Sequence, residues 1–178
     1  VITAGAWTSG LIPILEGLAV PERQVLAWLQ PLDGSLYTPE VFPVFNAYFD
    51  EGRYYGFPVF GIPGFKVGRY HHLEETIDLD STIKTVNGED EALLRSAVER
   101  YFPKANGTTM TLKTCMFTNT PDEHFIVDLL PGNTQVAVAA GFSGHGFKFA
   151  SVIGEILADL AITGETEHNI DLLKIDRF

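Results

Sequence analysis

Cys115 is the single cysteine of this 178-residue chain, and its chemistry is the first question that the sequence raises. A lone thiol forms no disulfide within the chain, so Cys115 is either buried packing or a reactive group. The thiolate is the reactive form, and it needs positive neighbours or hydrogen-bond donors. Lys148 and His145 are the candidates for that role. From spacing alone, both interpretations of Cys115 stay open.

Residues 141–149, with the sequence GFSGHGFKF, form the most specific segment of the chain. They lie between an apolar strand-like run and a long helical pattern. Their three glycines allow a sharp turn and a close approach of the backbone to a ligand. The free N–H groups at a helix start carry partial positive charge. The segment therefore predicts either a binding site for an anion or a flavin edge, or an ordinary strand-to-helix turn.

Ser143 offers an alternative chemistry, because it occupies a strand-turn-helix position like that of a hydrolase nucleophile. His145 and Asp128 lie near it in the sequence. The hydrolase pattern G-x-S-x-G requires a glycine two residues after the serine, and this chain has His145 there. The pattern therefore disfavours a serine hydrolase.

A metal site is a further alternative, because histidine and carboxylate side chains are common metal ligands. His71 and His72 are adjacent, so on a strand they point to opposite faces and do not easily share one ion. The candidate ligands are His71, His72, His124, His145 and Asp128.

The elements that must position these residues are mostly strands. Helical spacing of apolar residues predicts one helix from about Asp90 to Phe102 and another from about Phe149 to Leu160. Strand-like runs are separated by proline, glycine and aspartate, and the first four of them predict an antiparallel meander. The runs are 24–29, 44–49, 54–60, 65–70, 108–117, 124–129 and 134–140. The predicted fold class is α+β, with a mostly antiparallel sheet covered by helices.

The composition excludes several classes of partner. The formal net charge of −11 opposes binding to nucleic acid or to anionic lipid. No apolar run approaches the roughly 20 residues of a membrane-spanning helix, which predicts a soluble, cytoplasmic protein. Basic residues outside the acidic runs predict a local positive pocket for a small anionic ligand; they are Lys66, Arg69, His71, His72, His145 and Lys148.

Four segments together resemble the monomeric sarcosine oxidase and N-methyltryptophan oxidase family of FAD-dependent amine oxidases. The strongest are residues 115–128, CMFTNTPDEHFIVD, and residues 138–149, VAAGFSGHGFKF. Residues 54–68 and 160–170 follow the same family, so the resemblance covers essentially the whole chain. It implies oxidation of the C–N bond of a secondary amine such as sarcosine, giving an imine and hydrogen peroxide.

The resemblance also implies roles for individual residues. Cys115 matches the cysteine that carries FAD covalently, and Lys66 matches the lysine that favours electron transfer to oxygen. Tyr55 and His71 match residues that line the substrate cavity; the loop is one residue longer here, and we assign the position to His71 rather than Tyr70. Lys148, Phe57 and Phe117 are assigned to the substrate. The flavin-binding residues are Cys115, Met116, Phe142, Gly144, His145, Gly146 and Lys148.

The chain departs from the family in two respects. Phe117 replaces a tyrosine, which removes a hydroxyl from the flavin pocket. The fingerprint G-x-G-x-x-G, which binds the ADP part of FAD, occurs nowhere in the sequence. We therefore expect an N-terminal FAD-binding half as a partner, and weak or no FAD binding by this chain alone. The alternative is a non-catalytic truncated or split module.

The predicted domain organisation follows from the resemblance and from the first residues. Residues 1–4 read as a buried strand that enters a helix through Gly5, and a start inside a strand indicates a truncated chain whose open sheet edge favours a homodimer. Residues 1–20 are expected to be a piece of the FAD-binding domain. Residues 21–120 are expected to form the substrate-binding sheet, and residues 121–178 to return to the FAD-binding α/β domain with the C-terminal helix.

Overall fold

The computed structural model describes residues 1–81 and 85–178. They form two compact units. The first unit contains residues 1–22, 76–81 and 116–178, and the second contains residues 23–75 and 85–115. Each unit has its own apolar core.

The second unit is built on a five-stranded sheet. The strands are β1 (Val20–Leu29), β2 (Phe45–Phe49), β3 (Gly52–Phe57), β4 (Phe65–Arg69) and β5 (Thr109–Asn119). Their order in the sheet is β2-β3-β4-β1-β5, and the β1–β4, β2–β3 and β3–β4 pairs are antiparallel.

One face of this sheet forms a core with helix α2 (Gly88–Tyr101). Tyr54 of β3 and Phe65 and Val67 of β4 are buried on this face. They pack in one cluster with the buried Leu94 and Val98 of the helix. Side chains alternate between the two faces of a strand. The residues next to these buried ones therefore lie on the opposite face of the sheet.

Helix α2 (Gly88–Tyr101) begins with a capping box. The Asn87 side chain accepts hydrogen bonds from the backbone N–H groups of Glu89 and Asp90, and the Asp90 carboxylate accepts one from the backbone of Asn87. These contacts satisfy N–H groups that have no partner within the helix. They therefore fix the position at which α2 begins.

The first unit contains the antiparallel hairpin of β6 (Ile126–Leu130) and β7 (Asn133–Ala140). Helix α3 (Ala150–Ile162) packs on it through Ile153, Ile156, Leu157 and Leu160. The short helix α1 (Thr8–Leu11) lies near the start of the chain. Turns of 3₁₀ helix lie at Gly5–Trp7, Pro13–Leu15, Phe147–Phe149, Asp171–Leu173 and Ile175–Arg177 in this unit, and at Gly34–Tyr37 and Pro103–Ala105 in the second.

The predicted α+β class is confirmed, but two details differ. Strands β2, β3 and β4 are consecutive neighbours as a meander requires, whereas β1 lies between β4 and β5. Residues 1–4 form an isolated parallel bridge at Ile2 beside Val138 instead of a strand. The extended conformation ends because Ala4 has turned to ψ 11° and Gly5 to φ 56°. No helix in the described residues is long and apolar enough to cross a membrane.

Candidate active site

The open face of the second unit's sheet carries most of the predicted site residues of that unit. Tyr55 and Phe57 alternate with the buried Tyr54 on β3, and Lys66 alternates with the buried Phe65 and Val67 on β4. They therefore lie on the face opposite α2. The prediction that these three side chains form one site is consistent with this register.

Lys66 is flanked by an aromatic ring on each neighbouring strand. Its Cα pairs with that of Trp28 on β1 and with that of Phe57 on β3. The ammonium Nζ lies 5.0 Å from the Trp28 ring centroid and 4.9 Å from that of Phe57. Both distances are within the range of a cation–π interaction. The two rings thus hold a positive charge in a half-buried position on the open face.

The Tyr55 ring lies directly over Gly68 of β4. A Cβ atom at position 68 would come within 2.6 Å of the Tyr55 hydroxyl oxygen, so a larger residue there would displace the ring. Burial raises the pKa of the Tyr55 phenol, and the nearby Cys115 and Tyr70 groups raise this pKa further. Tyr55 is therefore a protonated hydrogen-bond donor, and the exposed Cys115 thiol lies within its electrostatic range.

Tyr70 continues the alternation of Lys66 and Gly68 and belongs to the same face. Its backbone N–H donates to the Arg53 carbonyl at 2.9 Å, which extends the β3–β4 ladder by one residue. The Tyr70 ring packs edge-on against Tyr55 with centroids 5.1 Å apart. The Arg53 guanidinium lies 3.9 Å from the Tyr70 centroid on the same face. The sequence analysis considered Tyr70 for the cavity position and assigned that position to His71.

His71 comes after the end of β4, in a left-handed backbone conformation with φ 52°. Arg69 donates hydrogen bonds to the carbonyl groups of His71 and His72, which holds this turn. Because the strand alternation ends at Tyr70, the register does not assign the His71 side chain to the open face. The placement of Tyr70 beside Tyr55 makes it a second candidate for the role assigned to His71.

His72 is fully buried within a network of charged groups. Its Nε2 lies 3.0 Å from the Asp90 carboxylate, which also accepts two hydrogen bonds of 2.7 Å from Arg23. Desolvation lowers the pKa of His72, while Arg23 lowers the pKa of Asp90 to about 2. His72 is thus part of the structure that joins β1 to α2. No group of three or more metal-binding side chains occurs among the described residues, so the metal alternative gains no support.

In the first unit, the glycine-rich turn packs tightly against aromatic rings. A Cβ atom on Gly144, whose φ is 76°, would come within 2.4 Å of the Phe117 ring. A Cβ atom on Gly146 would come equally close to the Phe142 ring, at 2.4 Å. Only residues without side chains fit these two positions, because the Phe117 and Phe142 rings occupy the space that a Cβ atom would need.

His145 is oriented by the loop that precedes β6. Its Nε2 lies 3.0 Å from the carbonyl oxygen of Glu123, and its ring packs on Phe125 with centroids 5.0 Å apart. Ser143 is buried, and its hydroxyl donates to the Gly141 carbonyl and accepts from the Thr120 N–H. A hydroxyl engaged in this way stabilises the turn, so the geometry does not favour a hydrolase nucleophile.

The remaining predicted site residues of the first unit are more exposed to solvent than the buried Ser143. Lys148 is exposed, with its Nζ 5.2 Å from the Phe149 ring centroid, within a turn of 3₁₀ helix. Met116 and Phe117 are half-buried near the end of β5. The Lys148 ammonium is therefore open to a solvent-borne anion.

Two features of the second unit suit a flavin. The Cys115 thiol is exposed, and Lys66 presents a cation on an aromatic face. Sequence reasoning assigned no role to Trp28 or Gly68, and it gave the cavity position to His71 rather than Tyr70. The spacing of Lys66, Gly68 and Tyr70 at every second position was the signal that pointed to the latter two.

Comparison of the chain with known proteins adds relatives over its full length. The family model described as FAD dependent oxidoreductase matches residues 1–160. Monomeric sarcosine oxidase from Bacillus sp. (strain NS-129) is 45% identical over 181 residues, covering 99% of this chain and 46% of that protein. N-methyl-L-tryptophan oxidase from Escherichia coli O127:H6 is 34% identical over 185 residues, covering 100% of this chain and 47% of that protein. The chain therefore spans about half the length of the curated relatives it matches.

Solved structures share the fold at lower sequence identity. A thermally stable mutant of fructosyl peptide oxidase matches with a TM-score of 0.73 and 21% identity, over 97% of this chain and 44% of that chain. The amino acid oxidase NikD matches with a TM-score of 0.67 and 22% identity, over 95% of this chain and 46% of that chain.

Proposed function

Because the chain belongs to the FAD dependent oxidoreductase family, we propose that it is part of a flavoprotein oxidase acting on secondary amines. The substrates proposed are sarcosine and other N-methyl amino acids, in line with the names of its relatives. Oxidation of the C–N bond gives an imine, and oxygen is reduced to hydrogen peroxide. The single observation that carries the proposal is the open sheet face, where Lys66, Tyr55 and Phe57 lie together, with Cys115 in electrostatic range of Tyr55.

Bound FAD would accept two electrons from the amine and pass them to oxygen. We propose that Cys115 is its covalent attachment point, because this thiol is exposed and next to the open face. The glycine-rich turn would contact the flavin through Phe142, Gly144, His145 and Gly146, with Met116 and Lys148 beside it. Residues 1–20 and 121–178 would then belong to the FAD-binding domain and residues 21–120 to the substrate domain.

The remaining roles rest on charge and protonation. The Lys66 cation, which lies between the Trp28 and Phe57 rings, stabilises negative charge that develops on oxygen. Tyr55 stays protonated and donates a hydrogen bond, since burial raises its pKa. The exposed Lys148 binds the substrate carboxylate, and Phe57 and Phe117 contact its apolar part. His71 remains a proposed cavity residue, and Tyr70 joins it.

Covalent attachment of FAD is tested by replacing Cys115 with serine. The experiment uses a polypeptide that includes this chain and is as long as the curated relatives. After denaturation and desalting, the protein with Cys115 should retain flavin absorbance, and its intact mass should be increased by one FAD. Cys115→Ser should lose both, while Thr114→Ser on the same strand should retain both. Flavin that stays attached in Cys115→Ser would refute the assignment.

The activity is tested by supplying the same polypeptide with sarcosine, N-methyltryptophan and glycine and measuring hydrogen peroxide. Lys66→Met should lower the rate of oxygen reduction by about a hundredfold or more, the scale of loss on removing one preorganised electrostatic group. Lys113→Met, which alters an exposed lysine of β5, should have little effect. Absence of peroxide with every secondary amine tested would reject the proposed function.

A further inference from the structure

The loop that joins β5 to β6 is held from both sides by one arginine near the end of the chain. Arg177 donates to the Asp122 carboxylate from Nε at 2.7 Å and from Nη2 at 3.1 Å. Nη2 also donates to the His124 carbonyl at 2.9 Å. Asp122 and His124 are the two neighbours of Glu123, which has a left-handed backbone with φ 60°. The guanidinium therefore fixes both flanks of a residue whose conformation is unfavourable without a glycine.

Further hydrogen bonds restrain the contact of Arg177 with Asp122 and His124, which we call the Arg177 clamp. The Thr120 hydroxyl lies 2.7 Å from the His124 carbonyl oxygen, to which it donates, and 3.1 Å from the Asp122 carboxylate. Arg177 itself is anchored, because its Nη1 donates to the Lys174 carbonyl at 2.9 Å and the adjacent turn buries Ile175. The guanidinium holds the pKa of the Asp122 carboxyl well below its usual range, so the pair is fully charged at neutral pH.

The direction of the loop bears on which ring nitrogen of neutral His145 carries the proton. The Glu123 carbonyl oxygen carries no proton, so the contact of 3.0 Å requires that the ring donates from Nε2. A neutral imidazole with a proton on Nε2 has an unshared pair on Nδ1, which is then an acceptor. Packing of the ring on Phe125 restricts its rotation. The direction of the Glu123 carbonyl thus selects which nitrogen His145 presents as an acceptor.

We propose that Arg177 is a positioning residue that fixes His145 in the Nε2–H tautomer through the loop of residues 120–124. The glycine-rich turn then presents the Nδ1 acceptor in a single orientation. The importance of this for flavin rests on the proposed function, because it assumes that His145 faces the cofactor. The tautomer itself does not depend on that assumption.

The test is long-range ¹H–¹⁵N NMR of the isotope-labelled chain, with the His145 signals assigned by their loss in His145→Gln. At a pH about two units above the ordinary imidazole pKa of about 6.5, neutral rings dominate. The native chain should give the Nε2–H pattern for His145. Arg177→Ala should give a mixture of the two tautomers, and Arg177→Lys a smaller change. Arg100→Ala, which removes an exposed arginine of α2, should leave the His145 signals unchanged.

Two results would overturn the inference: an Nδ1–H tautomer in the native chain, or an unchanged tautomer in a folded Arg177→Ala variant. If Arg177→Ala does not fold, as judged by far-UV circular dichroism, Asp122→Asn carries the same test, because it removes the charge but keeps the side-chain shape.

A second measurement separates this inference from the proposed function. In the longer flavin-containing polypeptide, Arg177→Ala should shift the visible flavin absorbance bands and Arg100→Ala should not. If the native polypeptide binds no flavin, the proposed function fails while the tautomer result stands. If flavin binds and its bands are the same in Arg177→Ala and the native protein, the positioning role toward the cofactor fails.

Discussion

Lys66 carries its charge between two aromatic rings, those of Trp28 and Phe57. An aromatic face attracts a cation without neutralising it, whereas an ion pair with a carboxylate would cancel the field that the cation produces. The neighbouring Tyr55 and Tyr70 rings add apolar surface and hydroxyl donors to the same face. At the residue scale, the open face therefore combines a positive charge with a largely apolar surface.

Tyr70 should contribute more to substrate binding than His71. We expect Tyr70→Phe to raise KM for the amine substrate by about twofold to tenfold, the equivalent of one hydrogen bond of about 0.5–1.5 kcal/mol. The ring packing against Tyr55 is kept in this variant, so stability should change little. Steady-state kinetics of the longer polypeptide measure the effect, with His71→Ala in parallel. A larger change in KM for His71→Ala would return the position to His71.

Gly144 should tolerate no side chain. Gly144→Ala combines a left-handed backbone, which costs about 1–2 kcal/mol for a residue with a Cβ atom, with a clash against Phe117. Gly164→Ala is the matched control, because Gly164 has φ 83° and open space around it. Urea denaturation of this chain should show a larger loss of unfolding free energy for Gly144→Ala. Equal losses would mean that Phe117 yields to the new methyl group at little cost.

At the scale of elements, the second unit depends on one buried ionic network. Asp90 caps the first turn of α2 and binds Arg23 of β1, and both side chains are almost fully buried. Removing one partner of a buried pair leaves a charge without compensation, which is far more costly than losing an exposed pair. The network therefore fixes where α2 lies on the core face of the sheet.

Asp90→Ala should destabilise the second unit by about 3–5 kcal/mol, the usual range for breaking a buried ion pair from one side. Asp50→Ala, which removes an exposed partner of Arg100, should change stability little. Chemical denaturation followed by Trp28 fluorescence in a Trp7→Phe background measures the effect in this unit. A small loss for Asp90→Ala would show that Glu75, whose carboxylate lies 3.3 Å from Arg23, compensates the buried charge.

The same network predicts how stability depends on pH. Burial lowers the pKa of His72, despite the raising effect of Asp90, with Arg23 and Arg69 also lowering it. The unfolded chain therefore binds a proton that the folded chain excludes, and stability falls as pH drops below the ordinary value of about 6.5. The pKa of Asp90 is lowered to about 2. Stability therefore falls a second time as the pH drops from about 3.9, the ordinary pKa of aspartate, towards about 2. Unfolding free energy measured from pH 8 to 5 should slope less in His72→Gln than in His124→Gln.

At the scale of the whole molecule, the chain is an acidic polypeptide of net charge −11 that matches about half of each curated relative. The family and the resemblance to sarcosine and N-methyltryptophan oxidases are confirmed over nearly the whole chain. The residues proposed to contact flavin fall in both compact units. The proposed function is therefore to be tested in a polypeptide as long as these relatives.

The 178 residues alone should bind FAD weakly, because the fingerprint for the ADP part is not in their sequence. Equilibrium dialysis with FAD measures this, and a polypeptide of the relatives' full length is the positive control. Adding a separately expressed N-terminal half should restore binding if the two parts associate. Stoichiometric flavin and turnover in the 178 residues by themselves would contradict this prediction and favour an autonomous module.

The sequence by itself determined the family, the α+β class and the types of residue at the site. Local patterns suffice for this, because alternating and helical periodicity appear within short windows, and the two long motifs preserve their order. It therefore predicted Cys115, Lys66 and the glycine-rich turn as the chemically important positions. The contacts that these residues make with distant parts of the chain cannot be read from a short stretch of sequence.

Only the tertiary structure decided which side chains share a face. A shift of one residue in an antiparallel register exchanges the two faces of a strand, and an alignment does not settle whether Tyr70 or His71 follows Lys66 and Gly68 on the open face. Trp28 is distant from Lys66 in sequence and becomes its neighbour through the β1–β4 pairing. The clamp of Arg177 on the loop before β6 joins residues 55 positions apart. Such contacts are set by the packing of whole elements, which is why the sequence alone did not reveal them.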